Sequence, residues 1–498
     1  MERNENLPFR YGDICFLPKQ ISQREVNNSA LWFLRKNKER IKKEFENINI
    51  DNHFEFLCEI QKRYSKDLFD LDFFNKLPKK IQSYISTHNA IMNEDSYCIV
   101  PILPYTSYGY IILENEIIEK TINTLGLRRL FQVRQLGFMM NPILREIELT
   151  SNSLGFEHTR GLHSLDVVAV LKLIEINNPN KSLNSNLLSI GGVSHDGLTP
   201  AGSDTTKLVN LELFDEDTHY EELFQKDGWP SLREIYSIDE KNLKEMILNN
   251  GIHGQLLDIA DKIAYTARDT SMFIDFFYKL DDDLKNERYR KLEKIVTEYP
   301  NFCDLWKEVK IIDGKMVIKD GLKLGRFLMV RALMYAELYY NPASRFLEYM
   351  LSKRIIKLLF ENKNITRDEL LIWTDHHLEE KIWEFLGTKY YPTSFKKSNY
   401  EKFENETERQ KSISELKKDI SVIAIPDDFQ CVTKTGVNKY SVIKNGKIMI
   451  FKEAYPEMAK EIEKIMTIES NFGLYVVSLE DLCVPIERYV YLKEKLEY

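Results

Sequence analysis

The sequence predicts a mainly α protein, with a helical core at the centre and a smaller α+β region at the C-terminal end. Three observations carry this. From Glu116 to about Lys389, apolar residues recur at the helical period. Beyond residue 419, short apolar runs alternate with turn residues, and Asn445-Gly446 is placed to close a hairpin. The chain has 498 residues, 43% of them hydrophobic, enough to bury a large core and to divide into more than one domain.

Taken in order, residues 1–95 are rich in Lys, Glu, Asn and Phe and read as a mainly helical N-terminal region. Within them LWFLRKNKERIKKEFENI reads as a basic amphipathic helix, better suited to a solvated face than to a membrane surface. Tyr97 to Ile112 alternates short apolar runs with Pro and Gly, which predicts one or two strands leading into a core at 96–395. Gly197 to Asp217 carries Gly, Pro, Ser and Thr and reads as an active-site loop. Residues 396–418 are highly charged and read as a linker or exposed helix. The last part, 419–498, reads as strands, the Asn-Gly hairpin, a helix at YPEMAKEIEKIMTIESN and a final strand at LYVVSLEDLCV.

Composition excludes several classes. No run of about eighteen apolar residues predicts a membrane span, and the polar start MERNENLPFRYGD lacks the apolar stretch of a secretory signal. The six cysteines are scattered without a CxxC pair, which fits reduced thiols in a cytoplasm. A net charge of −8 argues against bulk nucleic-acid binding. It leaves room for a small polyanion held by a few focused cations, for which Arg160, Lys262 and Arg331 are the candidates. There is no GxxxxGK[ST], no strand-preceded GxGxxG and no GxSxG, so kinase, ATPase, Rossmann and serine-hydrolase readings lack their key elements.

The chemistry concentrates on His163, the adjacent His195-Asp196, and Asp261. Two imidazoles and two carboxylates suit one divalent cation, and each lies in a segment that reads as helix. Asp261, Tyr265 and Asp269 are spaced by four and share one helical stripe. Two carboxylates on a core-facing stripe are costly unless paired or metal-bound. Arg331, Tyr335 and Tyr339 repeat the spacing on another helix. Such a trio can hold a phosphate and pack a sugar or base, or it can be a packed core with tethered hydroxyls. The run Asp375-His376-His377 offers three ligand types, but adjacent helical residues diverge, and a half-exposed helix is the better reading.

Between Gly109 and Pro342, the stretches GYIILENEIIEKTINTLGLRRLFQVRQLG, HTRGLHSLDV, SHDG, ADKIAYTARD and RALMYAELYYNP resemble the HD-domain phosphohydrolases. Within these the resemblance is to the deoxynucleoside triphosphate triphosphohydrolases, the branch that contains bacterial dGTP triphosphohydrolases and the SAM-and-HD-domain enzyme. It covers about half the chain. It implies a helical HD-domain phosphohydrolase core in which His163, His195, Asp196 and Asp261 bind a divalent metal: Mg, Mn, Fe, Co or Zn. It implies hydrolysis of a deoxynucleoside triphosphate to the deoxynucleoside and inorganic triphosphate, by attack of water on the α-phosphorus. By the same resemblance Arg160 serves the α-phosphate, and Lys262 and Arg331 the terminal phosphates. Gln135 and Asp269 bind the sugar 3′-hydroxyl, Leu136 closes the place of a ribose 2′-hydroxyl, and Tyr265, Tyr335 and Tyr339 pack around sugar and base. A homo-oligomer open to nucleotide regulation is also implied.

The sequence departs from this pattern after the His-Asp pair. The family's HDxGHxPFxH is here HDGLTPAGSD, so Thr199 and Asp204 stand where histidines would be. A threonine cannot act as an imidazole acid–base, and Asp204 is left to act in proton delivery or to join a second cation site. His219, in DEDTHYEELF, lies about where the family carries a catalytic His-Glu, with a Tyr intervening before Glu221. Its acidic surroundings suit a proton donor. The same metal site would serve a phosphomonoesterase or cyclic-nucleotide phosphodiesterase, and a chain with these departures would also serve as a non-catalytic nucleotide sensor.

Overall fold

The structure is a computed structural model. It describes residues 103–106, 108–114, 116–138, 159–179, 183–277, 287–339, 348–387, 400–427, 435–466, 472–480 and 485–496, with three further strands up to residue 92 and one at Tyr97–Val100. The basic helix expected near residues 31–48 lies outside the described residues.

Helices dominate the described chain, as the periodicity predicts. The helix Arg160–Asn177 is buried on nearly every side, including Arg160, His163, Asp166 and Lys172, as befits a central helix whose charged groups are paired within the core. Thr159 caps it, its side chain accepting from the Leu162 amide. The helix Ser185–Ser194, capped by Asn184, lies across it. Close approach is required at Gly192, where a Cβ would stand 2.9 Å from side-chain atoms of both Leu171 and Val168. The helix Gly251–Phe277 has 27 residues, about 40 Å of helix, and packs on the same central helix. The helix Gly321–Met334 completes the wall and passes directly into a π-helical turn, Tyr335–Tyr339. Leu165, Val168, Ile190, Ile259, Ile263, Phe327 and Val330 belong to the one large apolar cluster at this junction.

Strands supply the edges. The strands Phe9–Tyr11, Ile14–Pro18, Tyr108–Glu114, Tyr97–Val100 and Ile91–Met92 form one antiparallel sheet in that order. The described part of the N-terminal region is therefore strand rather than helix. A hairpin, Val309–Ile312 with Lys315–Ile318, interrupts the stretch in which the helical period dominates. Its turn, Asp313-Gly314, has positive φ at both residues, 48° and 72°, the backbone that right-twisted hairpins prefer. The Asn445-Gly446 turn repeats this at 51° and 75° and joins Ser441–Lys444 to Lys447–Ile450. That second hairpin continues the first, because Val442 pairs in parallel with Ile318.

Two segments gain detail. The segment 197–217, read as an active-site loop, holds the short helices Ser203–Lys207 and Leu211–Phe214, with Thr199, Ser203, Thr205 and Thr206 buried. Gly202 and Arg134 donate their amides to the two oxygens of Asp375, at 2.8 and 2.9 Å, which pins this segment to a distant helix. Within 396–418, Tyr400–Phe403 is a strand of a sheet ordered Tyr400–Phe403, Phe472–Ser478, Val422–Asp427. The helix Glu406–Leu416 follows it, mostly exposed but with Arg409 and Ile413 buried.

Candidate active site

Packing of the central helices brings His163, His195, Asp196 and Asp261 together. His163 lies in the first turn of its helix, and His195 ends the helix Ser185–Ser194. Asp261 lies within the long helix. His163 Nε2 is 2.9 Å from Asp261 Oδ1 and 3.8 Å from Asp196 Oδ2. His195 Nε2 is 3.6 Å from Asp196 Oδ2 and 3.8 Å from Asp261 Oδ1. Bonds of about 2.0–2.2 Å to one cation place neighbouring ligand atoms about 3–4 Å apart; His163, His195 and Asp196, whose ligand atoms lie within 4.8 Å of one another, could hold a single divalent ion, with Asp261 beside both histidines.

The chemistry of the donors fits as well. Both Nε2 atoms are buried and have no hydrogen-bond partner. Nδ1 of His195 is 2.8 Å from the Gly192 carbonyl, an arrangement that leaves the lone pair on Nε2. Burial opposes charge on His195, but Asp196 and Asp261 outweigh it and raise its pKa. Burial also opposes charge on Asp196, yet Arg160, His195 and His163 hold its carboxyl far below the usual range. Orphaned ring nitrogens facing ionised carboxylates are the electrostatic setting a cation completes.

Arg160 is locked rather than free. It donates to Asp196 at 3.0 Å, Asp204 at 2.7 Å and Ser203 Oγ at 2.8 Å. Asp204 in turn meets Lys207 at 3.2 Å, and Lys207 pairs with Glu216. Ser203 holds φ at 47° to make this possible, and its hydroxyl donates to the Gln135 carbonyl at 3.1 Å. Strain of this kind is retained where a site needs it. The turn carrying Gln135 and Leu136 is set by Gly137, at φ 56°, where a Cβ would stand 2.4 Å from the Gly202 carbonyl. Only glycine fits both conditions.

A cavity of about 280 Å³ opens beside the four ligands. It is lined by Gln135, Leu136, Arg160, Tyr265, Asp269, Tyr335 and Tyr339, and by His195, Asp196, Asp204 and Asp261, all named from the sequence. Glu216, Asp217, Asn249 and Asp258 line it too and were not anticipated. Tyr339 donates to Asp269, and Arg331 donates to Tyr265 at 2.5 Å and to Tyr335 at 3.3 Å. Arg331 and Lys262 do not line the cavity: Arg331 braces the tyrosines, and Lys262 donates to Asp258 at 2.5 Å. Burial pushes the Lys262 ammonium down to about 8. Thr199 is fully buried.

His219 is not brought into the cavity. Its Nε2 lies 2.8 Å from the Glu212 carbonyl and its Nδ1 3.2 Å from Glu222. From the same short helix Asp217 lines the cavity instead. Its carboxyl is pushed up to about 7 by burial, with Glu216 and Asp215 adding to the shift. The DEDTH run was visible in the sequence, but a four-residue helix does not reveal which of its side chains turns inward.

Asp269 is also pushed up to about 7, by burial, against the opposing hydrogen bond from Tyr339. The folded chain thus keeps a proton that the unfolded chain releases near its ordinary value of 3.8. The resulting stability is full below that value and is lost as pH rises towards 7. Asp269→Asn is expected to flatten this dependence. Urea unfolding at pH 5 and pH 8 should show a larger loss for the wild type than for the variant; equal losses would mean that Asp269 is ionised throughout.

Comparison with known proteins extends the fold. No family model and no curated protein matches the chain. Solved structures do. A hypothetical protein from Aquifex aeolicus matches at a TM-score of 0.51 and 16% identity, over 78% of this chain and 97% of that one. A phosphohydrolase from Bacteroides thetaiotaomicron matches at 0.50 and 15% identity, over 74% of this chain and 97% of that one. The chain therefore shares a mainly helical fold with these two proteins. Among the described residues no helix is long and apolar enough to cross a membrane.

Proposed function

We propose that the chain is a metal-dependent phosphohydrolase of the HD type that cleaves deoxynucleoside triphosphates to the deoxynucleoside and inorganic triphosphate. The observation that carries this is one cavity on which His195, Asp196 and Asp261 meet Gln135, Leu136, Tyr265, Asp269, Tyr335 and Tyr339, with His163 packed beside the three ligands. The phosphohydrolase fold supports it.

A divalent cation held by His163, His195, Asp196 and Asp261 supplies Lewis acidity towards a phosphate oxygen and lowers the pKa of bound water. The chain's own groups do the rest. Arg160, fixed by Asp196, Asp204 and Ser203, presents a preorganised positive charge on the cavity wall. Tyr265, Tyr335 and Tyr339 form a rigid aromatic wall for sugar and base. Leu136 places an apolar side chain at the sugar, where an added hydroxyl would be desolvated without a partner. Asp217, protonated to about pH 7, is the cavity carboxyl suited to give a proton to the departing 5′-oxygen as water adds to the α-phosphorus.

The test is product analysis of the purified protein with four dNTPs and four NTPs, with Mg²⁺ or Mn²⁺. Deoxynucleoside plus inorganic triphosphate is expected, with deoxynucleotides preferred. Equal turnover of ATP and dATP would remove the role given to Leu136. Free phosphate as product would identify a phosphomonoesterase, and nucleotide binding without turnover a sensor.

A further inference from the structure

We propose that a second cavity, contiguous with the first, takes the terminal phosphates of the substrate, with Lys439 and Lys315 as its cations. This rests on the reading of the substrate as a nucleoside triphosphate. The second cavity measures about 230 Å³ and shares Asn249 and Asp258 with the first. Lys315 comes from the Val309–Ile318 hairpin, and Lys439 and Tyr440 from the segment before the Asn445-Gly446 hairpin.

Charge decides where a polyphosphate can lie. Seven carboxyl side chains line the first cavity, two of them, Asp217 and Asp269, pushed up to about 7, while its one guanidinium, Arg160, is already bound to two of the others. Beyond the metal ligands and Arg160, no cationic side chain lines that cavity to meet the terminal phosphates. The second cavity reverses the sign. Asp258 Oδ1 receives both Lys262 Nζ, at 2.5 Å, and Lys439 Nζ, at 2.7 Å, and Tyr440 donates to its Oδ2 at 2.9 Å. Two ammonium groups thus share one carboxylate, and Lys315, exposed on the same cavity, has no ion-pair partner among the described residues. The excess of positive charge is what a phosphate would balance.

Position agrees with charge. Asp258 precedes Asp261 by three residues on the long helix, so the lysine cluster begins about one helical turn, roughly 5 Å, from a metal ligand.

The experiment compares the full-length, metal-loaded protein with Lys439→Met, Lys315→Met and the double variant, using inorganic tripolyphosphate as a calorimetric probe and dNTP kinetics as a second readout. Each loss of a charge-assisted contact is expected to weaken tripolyphosphate binding by roughly tenfold to a hundredfold. The loss should fall on KM more than on kcat, while binding of the free deoxynucleoside is retained and Lys439→Arg restores affinity. Unchanged tripolyphosphate affinity and KM in the double variant would overturn the proposal, even if dNTP hydrolysis stands. Lys439-dependent tripolyphosphate binding in a protein that cleaves no nucleotide would support the anion site and overturn the nucleotide reading.

Discussion

Asp261→Asn is expected to give a folded protein that holds no divalent cation and cleaves nucleoside triphosphates more than about a hundredfold more slowly. Losing merely the hydrogen-bond partner of a metal ligand costs about 10–100-fold, and Asp261 is one of four ligand groups. The change is mild for the fold, because about a third of the side chain is open to solvent and asparagine keeps its shape. Metal content by elemental analysis and turnover of the preferred dNTP are the measurements. Normal metal content and turnover in this variant would remove Asp261 from the ligand set. Asp196→Ala is the poorer test, since it would also strip a partner from the buried Arg160 guanidinium, and a loss of activity would then mix with a loss of fold.

Arg268→Met is expected to destabilise the protein by about 3–5 kcal/mol, the usual cost of leaving a buried charge without its partner. Arg268 lies on the long helix beside Asp269 and donates to Asp166 Oδ1 at 2.7 Å. Asp166 is on the His163 helix, one turn beyond that ligand, and its side chain is fully buried. Burial pushes the Asp166 carboxyl up, and the Arg268 charge opposes that shift. The pair is a strut between the two helices that carry His163 and Asp261, so metal affinity should fall with stability. Denaturant unfolding and metal titration read the two effects. Replacing Asp166 by Leu in the same chain should recover part of the stability, because an apolar pair leaves no charge stranded; no recovery would place the cost elsewhere.

Much of this site was legible because its signals are local. Spacing by four put Asp261, Tyr265 and Asp269 on one stripe, and the long helix keeps them there. Tyr335 and Tyr339 were read on the same rule; the structure places them in a π-helical turn, yet both line the cavity. Gln135-Leu136-Gly137 was read from resemblance, and its physical reason, the crowded positive-φ glycine, needed coordinates. The acidic run around His219 was seen, but which of its carboxyls face the cavity was fixed by packing. The Asp313-Gly314 hairpin signal was present in the sequence and was overridden by the helical period on either side. Asp258 was invisible as a hub because its partners Lys439 and Tyr440 are far along the chain, where no periodicity reaches.

That last separation has a consequence for the newborn chain. Every proposed metal ligand precedes residue 262, whereas the tyrosine that clamps Asp258 follows it by 182 positions. At about 5–20 residues per second of synthesis, roughly 10–40 s pass between the two. During that interval the helical layer can acquire its ion while Lys262 leans on a carboxylate that Lys439 and Tyr440 have yet to reach.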